Sequence, residues 1–496
     1  MQKNILLVGG TGAMGMYLVP FLLDQKYEVF VTSRRERKSN HESLHYLKGN
    51  GHDIDWLESL SKQYNFDFVI DFMVYRYSDF EKKHNRLLDL GKLYIFISSS
   101  RVFANEDQLI TEESPRKLDV LSKYPYFSGD VYALTKAREE NLLRNNSKSN
   151  YVILRPYMSF SKQRFQYGVA DNFDVIRALR NGKSAMSESM LALPTTLTYG
   201  KDVARMIANL LKNDAIRGQE INVVSSESYT WLEISDIYHK VFGLEMQPVS
   251  DAQYMVLTGQ WSTMLDRFLP RVFDNSKMLA LSELNQNDFY TLESGLEEAF
   301  SESNLDYYLK SNTNWMTHAK YDYFLGGSLN LSGVSEKGKE AYKEASEYFK
   351  ENRALFENGV VSVSIKNKLW RVRTVPWDSQ IDLLRTNKHT FGKPQKNENR
   401  WISLELEEAM LKGEEYELSF DYLFDSNKVI VPFLHNNSVT QIIGEMRPTD
   451  GTWKSLRIKV IPKENYLRFL TFSSTDIPVS GKVLSIKNVE VRRCHK

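Results

Sequence analysis

Three glycines near the N-terminus constrain this chain more than any other feature of its sequence. Residues 4–8 read NILLV, an unbroken apolar run of the kind that forms a buried parallel strand. The glycines come next with G-x-x-G-x-x-G spacing and lead into a helical pattern. They allow a sharp turn and a close approach of backbone N–H groups to a pyrophosphate, which a helix N-terminus also attracts. The pattern predicts a dinucleotide site. The residues expected to contact the cofactor here are Gly9, Thr11, Gly12, Ala13, Met14 and Gly15.

The next apolar run, YEVFVTS at 27–33, predicts the second strand. In dinucleotide-binding folds the end of this strand meets the adenosine ribose. An acidic residue there bonds the 2′-hydroxyl of NAD, whereas an arginine accommodates the 2′-phosphate of NADP. Here Arg34 and Arg35 come directly after the strand, and no acid occurs before Glu36. We therefore favour NADP, held by Arg34, and leave NAD open.

Composition limits the class of protein. A chain of 496 residues predicts two or three domains. Its 64 Lys and Arg against 63 Asp and Glu provide no field that would attract nucleic acid or an anionic membrane. The one cysteine, Cys494, cannot form an internal disulfide, and no apolar run approaches the roughly 20 residues that span a bilayer. We expect a cytoplasmic protein with no membrane insertion and no nucleic-acid partner.

Several sequence blocks after the glycine loop occur in a specific order. Their order and spacing resemble the extended short-chain dehydrogenase/reductase family, the NAD(P)-dependent epimerases and dehydratases. The resemblance covers residues 1–310 and implies an α/β Rossmann-type, doubly wound parallel sheet, with the substrate part mainly at 157–200 and 225–310. It adds cofactor contacts at Asn50, Phe72, Met73 and Pro156. The blocks are FDFVIDF (66–72), YIFISSSRVF (94–103), VYALTK (131–136), LRPY (154–157), YGKDVARMIANLL (199–211) and FDNSK (273–277).

The same resemblance implies the catalytic residues Ser99, Tyr132 and Lys136. In the family a Y-x-x-x-K pair comes after a serine that stands three residues before a valine, here Val102. The chemistry explains these residue types. A tyrosine, whose ordinary pKa is about 10, needs a nearby ammonium to act as acid or base near neutral pH. A spacing of four places both side chains on one face of a helix.

The two residues after Ser99 narrow the choice of reaction. Sugar-nucleotide 4,6-dehydratases resemble this pattern but carry an Asp-Glu pair where this chain has Ser100 and Arg101. Loss of water is therefore disfavoured. A nucleotide-sugar epimerase and a keto-sugar reductase remain, and Arg34 slightly favours a reductase. The family analogy places either activity in surface-glycan precursor synthesis.

The substrate region departs from the family pattern. Met158 stands where the family often has an asparagine, and Thr195 where an arginine normally clamps the diphosphate. We expect the diphosphate site to be altered or relocated, with a nucleotide sugar as substrate. The nine histidines show no metal-ligand spacing, so no metal is expected. The candidate substrate contacts are Ser100, Arg164, Asn172 and Arg267.

The chain beyond residue 310 changes character. Residues 311–359 contain strong helix formers and predict a packed helical connector. From 360 to 496, seven or more alternating segments separated by turn signals predict an all-β sandwich. This part resembles a jelly-roll carbohydrate-binding module. Its tryptophans are candidate sugar platforms, although tryptophans lie more often in a core: Trp370, Trp377, Trp401 and Trp453.

One alternative from another class stays open. A cofactor-bound scaffold or sensor would hold NADP in its Rossmann unit and bind a glycan or protein through the β-sandwich. The intact Ser99, Tyr132 and Lys136 argue against it, because a binding protein has no need of all three. A homodimer, and a glycan or domain partner for the β-sandwich, also stay open.

Overall fold

The structure is a computed structural model that describes most of the N-terminal region and part of the C-terminal region. The described residues are 2–104, 108–124, 127, 130–249, 251–258, 265–304, 309 and 314–351, and then 362–365, 368–373, 377–378, 383–385, 401–424, 431–435, 440–463, 467–473 and 484–494.

A seven-stranded, fully parallel sheet forms the centre of the N-terminal region. The strands lie in the order β7-β6-β5-β4-β1-β2-β3. The chain winds outward from β1 in both directions, so a crevice opens at the carboxyl ends of β1 and β4, where such sheets bind ligands. This confirms the Rossmann-type doubly wound fold. The strands are β1 (Asn4–Val8), β2 (Glu28–Ser33), β3 (Leu44–Lys48), β4 (Phe66–Asp71), β5 (Gly91–Ile97), β6 (Tyr151–Arg155) and β7 (Glu220–Asn222).

Helices cover both faces of this sheet because side chains alternate along each buried strand. Ile5 and Leu7 point to one core, whereas Leu6 and Val8 point to the other. The twelve α-helices in the described part of the chain are α1 (Gly15–Asp24), α2 (Ile54–Tyr64), α3 (Tyr77–Leu88), α4 (Val131–Arg144), α5 (Phe173–Leu179), α6 (Gly200–Leu210), α7 (Trp231–Phe242), α8 (Asp251–Thr258), α9 (Ser276–Ser282), α10 (Leu292–Ser301), α11 (Trp315–Leu325) and α12 (Glu336–Glu351).

Short strand pairs build the rest of the N-terminal region above the carboxyl edge of the sheet. They join segments that are far apart in sequence, so the substrate part is assembled by tertiary contacts. The pairs are Ser159–Phe160 with Thr198–Tyr199, Gln166–Tyr167 with Ala170–Asp171, Ser184–Ser187 with Met246–Val249, and Pro194–Thr195 with Tyr229–Thr230. Short 3₁₀ turns occur at Ser100–Val102, Asp214–Ile216 and Gln286–Asp288.

The connector helices pack against the catalytic region. Arg177 of α5 is fully buried and pairs with Asp322 of α11 at 2.5 Å. The guanidinium of Arg180 donates to the backbone carbonyl of Asn330 at 2.8 Å. The predicted packing of the connector is thus observed for residues 314–351, while the boundaries proposed at 310 and 359 stay predictions.

Two antiparallel sheets form the described part of the C-terminal region. Buried side chains alternate along Tyr416–Phe424, and Phe420 packs edge-on against Phe472 of the other sheet at a ring-centroid distance of 4.8 Å. The sheets therefore share an apolar core. The six-stranded sheet runs Ser362–Ile365, Lys368–Arg373, Trp401–Met410, Leu467–Ser473, Val431–His435 and Thr440–Ile442; the five-stranded sheet runs Trp377–Asp378, Leu383–Arg385, Leu484–Arg493, Tyr416–Phe424 and Lys454–Val460.

The candidate sugar platforms of this region stay predictions. Only Trp453 has a described side chain; the side chains of Trp370, Trp377 and Trp401 lie outside the described residues. Trp453 is 37% exposed, and Lys487 Nζ lies 4.2 Å from its ring centroid. A sugar ring on that face would have to displace the lysine. The jelly-roll and carbohydrate-binding resemblances are likewise predictions.

Candidate active site

The glycine loop has the geometry of a phosphate cradle. Gly9 adopts a φ of +74°, and its N–H donates to Thr32 Oγ1 at 2.8 Å, which ties the loop to β2. A Cβ on Gly15 would lie 2.2 Å from the carbonyl oxygen of Gly10, so α1 can begin this close only with glycine. A Cβ on Gly12 would meet open space. The loop therefore packs tightly underneath and leaves room above for a pyrophosphate, which fits a dinucleotide.

The other predicted cofactor residues lie at the same carboxyl edge of the sheet. Phe72 and Met73 come directly after β4, and Asn50 comes after β3 beside Gly51, whose backbone approaches Met73. Pro156 comes after β6, and its carbonyl accepts from the N–H of Ser100 at 3.0 Å. Parallel strands bring these distant residues to one edge, as the resemblance implied.

Arg34 is exposed directly beyond the end of β2. Within the described part of the chain it takes part in no ion pair. Its neighbour Arg35 donates its backbone N–H to Ser33 Oγ at 3.3 Å. The preference for NADP over NAD stays a prediction.

The catalytic candidates meet where β5 and α4 are joined. Ser98 and Arg101, on either side of Ser99, bind α4. Ser98 Oγ donates to Glu140 at 2.6 Å, and Arg101 Nε donates to Asp130 at 3.0 Å. The segment of α4 between these two contacts contains Tyr132 and Lys136. The structure thus brings all three candidates to one place.

Tyr132 and Lys136 differ sharply in exposure. Tyr132 is 40% exposed at the start of α4, open to a substrate. Its ring centroid lies 5.9 Å from the Arg101 guanidinium. Lys136 is only 2% exposed, with its ammonium 4.3 Å from the Phe96 ring centroid and 3.2 Å from Glu139 Oε2. Tyr132 is therefore open to solvent, whereas the Lys136 ammonium lies in the interior beside Phe96 and Glu139.

A buried cluster of charges borders Tyr132 on the substrate side. Asp130 caps α4 through the N–H of Ala133 and also accepts from Lys117 Nζ at 2.7 Å. Asp266 pairs with Arg271 at 3.0 Å and accepts from Tyr157 at 3.1 Å. Four cationic side chains surround two carboxylates here: Arg101, Lys117, Arg267 and Arg271 with Asp130 and Asp266.

Burial and neighbouring charges shift the pKa values of two members of this cluster. Burial acts to raise the pKa of Asp266, but Arg271 and Arg267 hold it well below its usual range. Burial and the neighbouring Arg271 lower the pKa of Lys117 to about 8. Arg271 Nη2 is buried with no hydrogen-bond partner in the described part of the chain. The cluster is therefore suited to receive an anion.

Three predicted substrate contacts stay predictions, and the structure shows that their side chains already have partners within the fold. Ser100 is fully buried, and its Oγ donates to the carbonyl of Arg155 at 2.8 Å. Asn172 uses both amide atoms locally, accepting from the N–H of Phe165 at 2.6 Å and donating to Gln163. Arg164 forms an exposed pair with Asp171 at 2.8 Å. All three groups are engaged within the fold.

Arg267 is the predicted substrate residue that reaches the cluster. It donates from Nε to the carbonyl of Gly168 at 3.0 Å and also binds Asp266. Its guanidinium lies 5.6 Å from the ring of Tyr157, the residue next to Pro156 in the chain. Displaced positive charge is thus found near the altered family positions.

The departures from the family pattern have local structural consequences. Met158 adopts a positive φ of +37°, which a methionine rarely does and an asparagine tolerates better. Thr195 is buried in the short strand pair beside Arg271. A Cβ on Gly200 would lie 3.0 Å from the carbonyl oxygen of Phe160, so glycine lets α6 approach this segment.

Sequence reasoning missed Lys117, Asp130, Asp266 and Arg271. Asp130 carried a usable signal, because an aspartate directly before a helical pattern is a typical N-cap. The others had none. They converge from loops more than a hundred residues apart, a proximity that no local pattern encodes.

Residues 5–224 match the sequence model of the NAD dependent epimerase/dehydratase family. The N-terminal region is therefore similar to that family. The prediction of an NAD(P)-dependent enzyme class is confirmed at this level. No curated protein sequence gives a significant match. None of the described helices is long and apolar enough to cross a membrane.

Solved structures of similar shape include three at 16–18% identity. Pal from Bacillus thuringiensis covers 60% of this chain and 98% of its own, with 16% identity and a TM-score of 0.48. An epimerase from Methanothermobacter thermautotrophicus covers 60% and 91%, with 16% identity and a TM-score of 0.48. A dTDP-glucose 4,6-dehydratase from Bacillus anthracis, solved with NAD, covers 60% and 96%, with 18% identity and a TM-score of 0.48.

Proposed function

We propose that the N-terminal region is an NAD(P)-dependent epimerase or keto-sugar reductase that acts on a nucleotide sugar by hydride transfer. The observation that carries this proposal is the joining of β5 to α4 around the catalytic candidates. Ser98 and Arg101 bind Glu140 and Asp130, which bracket Tyr132 and Lys136 along α4. A serine, an exposed tyrosine and a buried ammonium thus share the crevice that a dinucleotide would enter.

Each residue has a definite role in this proposal. The Tyr132 phenol gives or takes the proton of the reacting sugar hydroxyl. Lys136 favours the phenolate, since a nearby positive charge stabilises an anion. Ser99 Oγ bonds the same sugar oxygen and orients it. The nicotinamide cofactor, when bound, supplies the hydride acceptor and donor.

Dehydration is not part of this proposal. The positions that would carry the Asp-Glu pair are occupied by Ser100 and Arg101. Ser100 is bound to a backbone carbonyl, and Arg101 is bound to Asp130. Neither can supply the carboxylate that removes water. Epimerisation and reduction remain.

The charge cluster supports a substrate with a diphosphate. Arg271 Nη2 is buried with no hydrogen-bond partner among the described residues, and an unsatisfied buried donor favours a ligand that can accept from it. Arg267 and Arg271 lie on the substrate side of Tyr132 and can form charge-assisted hydrogen bonds to phosphate oxygens. The exposed Arg34 favours NADP in the same way.

The experiment that separates the two reactions is a mass spectrum and absorbance scan of the purified protein, and then titration with NADPH and NADH. An epimerase recycles its hydride, so tightly retained NAD(P)⁺ is expected. A reductase must exchange its cofactor, so an empty site that prefers NADPH is expected. Absence of binding by either cofactor contradicts the proposal.

Turnover on a panel of UDP- and dTDP-sugars, with and without their keto forms, then tests the substrate class. Conversion of any member separates an enzyme from a scaffold or sensor, which would bind cofactor without turnover. A role in surface-glycan precursor synthesis stays a prediction, as does a homodimer.

A further inference from the structure

Two adjacent glutamates of α4 are buried in very different surroundings. Both Glu139 and Glu140 are fully buried. Glu140 accepts from Ser98 at 2.6 Å, from Arg155 at 2.8 Å, and from Arg116 at 3.1 Å. These hydrogen bonds explain why the Glu140 carboxylate can be buried, since it joins three separate segments of the chain.

Glu139 has no such set of donors. In the described part of the chain, no hydrogen bond of favourable geometry reaches either of its carboxylate oxygens. Its charged neighbour is the Lys136 ammonium, 3.2 Å from Oε2. A fully buried carboxylate with unsatisfied oxygens costs folding free energy, so its presence calls for a reason other than stability.

The surroundings of Lys136 supply that reason. The ammonium is 2% exposed and lies against the Phe96 ring, so it is almost wholly withdrawn from water. An opposite charge within about 4 Å favours the charged form. Asp71 is the other carboxylate that acts on this pocket, but it accepts hydrogen bonds from Tyr75 at 2.8 Å and Tyr94 at 2.7 Å.

Few titratable groups in the described part of the chain face Glu139. From α4 they are Lys136 and Glu140, from β4 Asp71, from β5 Tyr94, and from the loop before α3 Tyr75. Lys136 is the positive charge among them that is near enough to pair directly. Burial raises the pKa of Glu139 to about 7, against the opposing effect of Lys136.

We propose that Glu139 is a positioning residue, the counter-ion that holds the Lys136 ammonium in place on α4. This rests on the proposed function, because it acts through the Tyr132–Lys136 pair. Lys136 must be held in one position to favour the phenolate, and the apolar Phe96 ring offers its ammonium no hydrogen-bond acceptor. Glu139 supplies the opposite charge without occupying the crevice.

The first test is the pH dependence of turnover in Glu139→Gln. We expect kcat to fall by about 10- to 100-fold, and the alkaline limb of the kcat/KM profile to move to lower pH by about one unit. Glu139→Asp, which retains the charge, should recover a large part of kcat. Glu140→Gln is the matched control. It should lower Tm while leaving the alkaline limb where it is in the wild-type enzyme.

The second test needs no turnover and remains informative if Glu139→Gln is poorly active. In the wild-type background Glu139→Gln should lower Tm, because it leaves a buried ammonium unpaired. In a Lys136→Met background the same substitution should raise Tm, because it removes a buried carboxylate that has lost its partner. The sign of the effect should reverse between the two backgrounds.

The outcomes distinguish this proposal from the proposed function. An unshifted alkaline limb and equal effects of Glu139→Gln on Tm in both backgrounds would overturn the role of Glu139, while an inactive Tyr132→Phe would leave the proposed function standing. If the wild-type protein turns over no sugar, the proposed function fails, and the reversal in Tm still decides whether Glu139 is the counter-ion.

Discussion

The cofactor-binding half of the catalytic region, residues 4–155, and the substrate half differ in how their binding groups are distributed along the sequence. In the cofactor half, Gly9, Gly12 and Gly15 lie within one short loop, and the other contacts lie at the ends of successive strands. In the substrate half, the charged groups come from separate loops. Arg271 of the substrate half meets Lys117, which the cofactor half contributes, at Asp266 across more than 150 residues.

The difference separates what a local motif can encode from what tertiary packing must assemble. A phosphate cradle needs backbone N–H groups in a tight turn, and consecutive residues provide them. A site that binds a variable sugar needs side chains from several loops on a rigid scaffold. Cofactor binding should therefore be sensitive to single substitutions in the glycine motif. Substrate binding should be sensitive to substitutions of residues that are far apart in the sequence.

The largest expected effect is at the boundary between the halves. Tyr132→Phe should reduce kcat by about 10³-fold, because it removes the group that moves the hydroxyl proton. Cofactor affinity, measured by NADPH titration, should change by less than about twofold. Tyr77→Phe, at the start of α3 and outside the site, is the matched control. Near-normal turnover in Tyr132→Phe would contradict the assignment.

The next largest expected effect, in the cofactor half, is on the free energy of unfolding at acidic pH. Burial would raise the pKa of Glu140, but Arg155 and Ser98 lower it to about 2. The unfolded value is about 4.3, so Glu140 contributes about 3 kcal/mol above that pH and loses it as pH falls towards 2. Glu140→Gln should flatten the acid dependence of the free energy of unfolding, measured in urea. The exposed Glu113→Gln should leave it unchanged.

In the substrate half, a buried carboxyl should change the free energy of unfolding with pH in the direction opposite to that of Glu140. Burial raises the pKa of Asp174 to about 7. Its contribution is fully present below the unfolded value of about 3.9 and is lost as pH rises through about 7. Asp174→Asn should therefore gain stability relative to wild type between pH 4 and pH 8, by an amount on the order of 4 kcal/mol. A constant difference across that range would contradict this.

A smaller effect compares two arginines of the substrate half. Arg267→Gln should raise KM for a nucleotide sugar by about 10- to 30-fold, because it removes a charge-assisted hydrogen bond to phosphate. Arg164→Gln should change KM by less than about twofold, since Arg164 forms an exposed pair with Asp171. Equal effects would mean that the charge cluster does not receive the substrate.

The smallest expected effect tests the cofactor half. Arg34→Ser should weaken NADPH binding by about 10-fold and leave NADH binding unchanged, because only the 2′-phosphate needs the guanidinium. Arg37→Ser, which removes an exposed arginine that lies over Tyr46, is the control. Isothermal titration with both cofactors measures the difference. Equal loss for both would favour a structural role for Arg34.

The sequence predicted the cofactor half well because its signals are local. The strand at residues 4–8 was bounded correctly, and the order of blocks implied the parallel sheet. Tyr132 and Lys136 share one helix, so their spacing alone placed them on one face. The roles of these residues stay predictions, whereas the hydrogen bonds that join the segment around Ser99 to α4 are observed.

Prediction was weaker in the substrate half for a physical reason. Asn172 and Arg164 have the right residue types, but each is satisfied by a neighbour within its own loop. A sequence shows which groups could bind a ligand, not which have already found a partner. Lys117 and Glu139 gave no signal at all, because their importance depends on burial beside an opposite charge.

The buried pair between Arg177 and Asp322 bears on how the protein can be shortened. A fragment that stops at residue 310, the end of the family-like part, would leave Arg177 buried without its carboxylate and would expose the Phe173 ring that stacks on His318 at 4.6 Å. Such a fragment should aggregate or be cleaved by proteases. The smallest piece that retains an intact catalytic unit should extend through α12, to about residue 351.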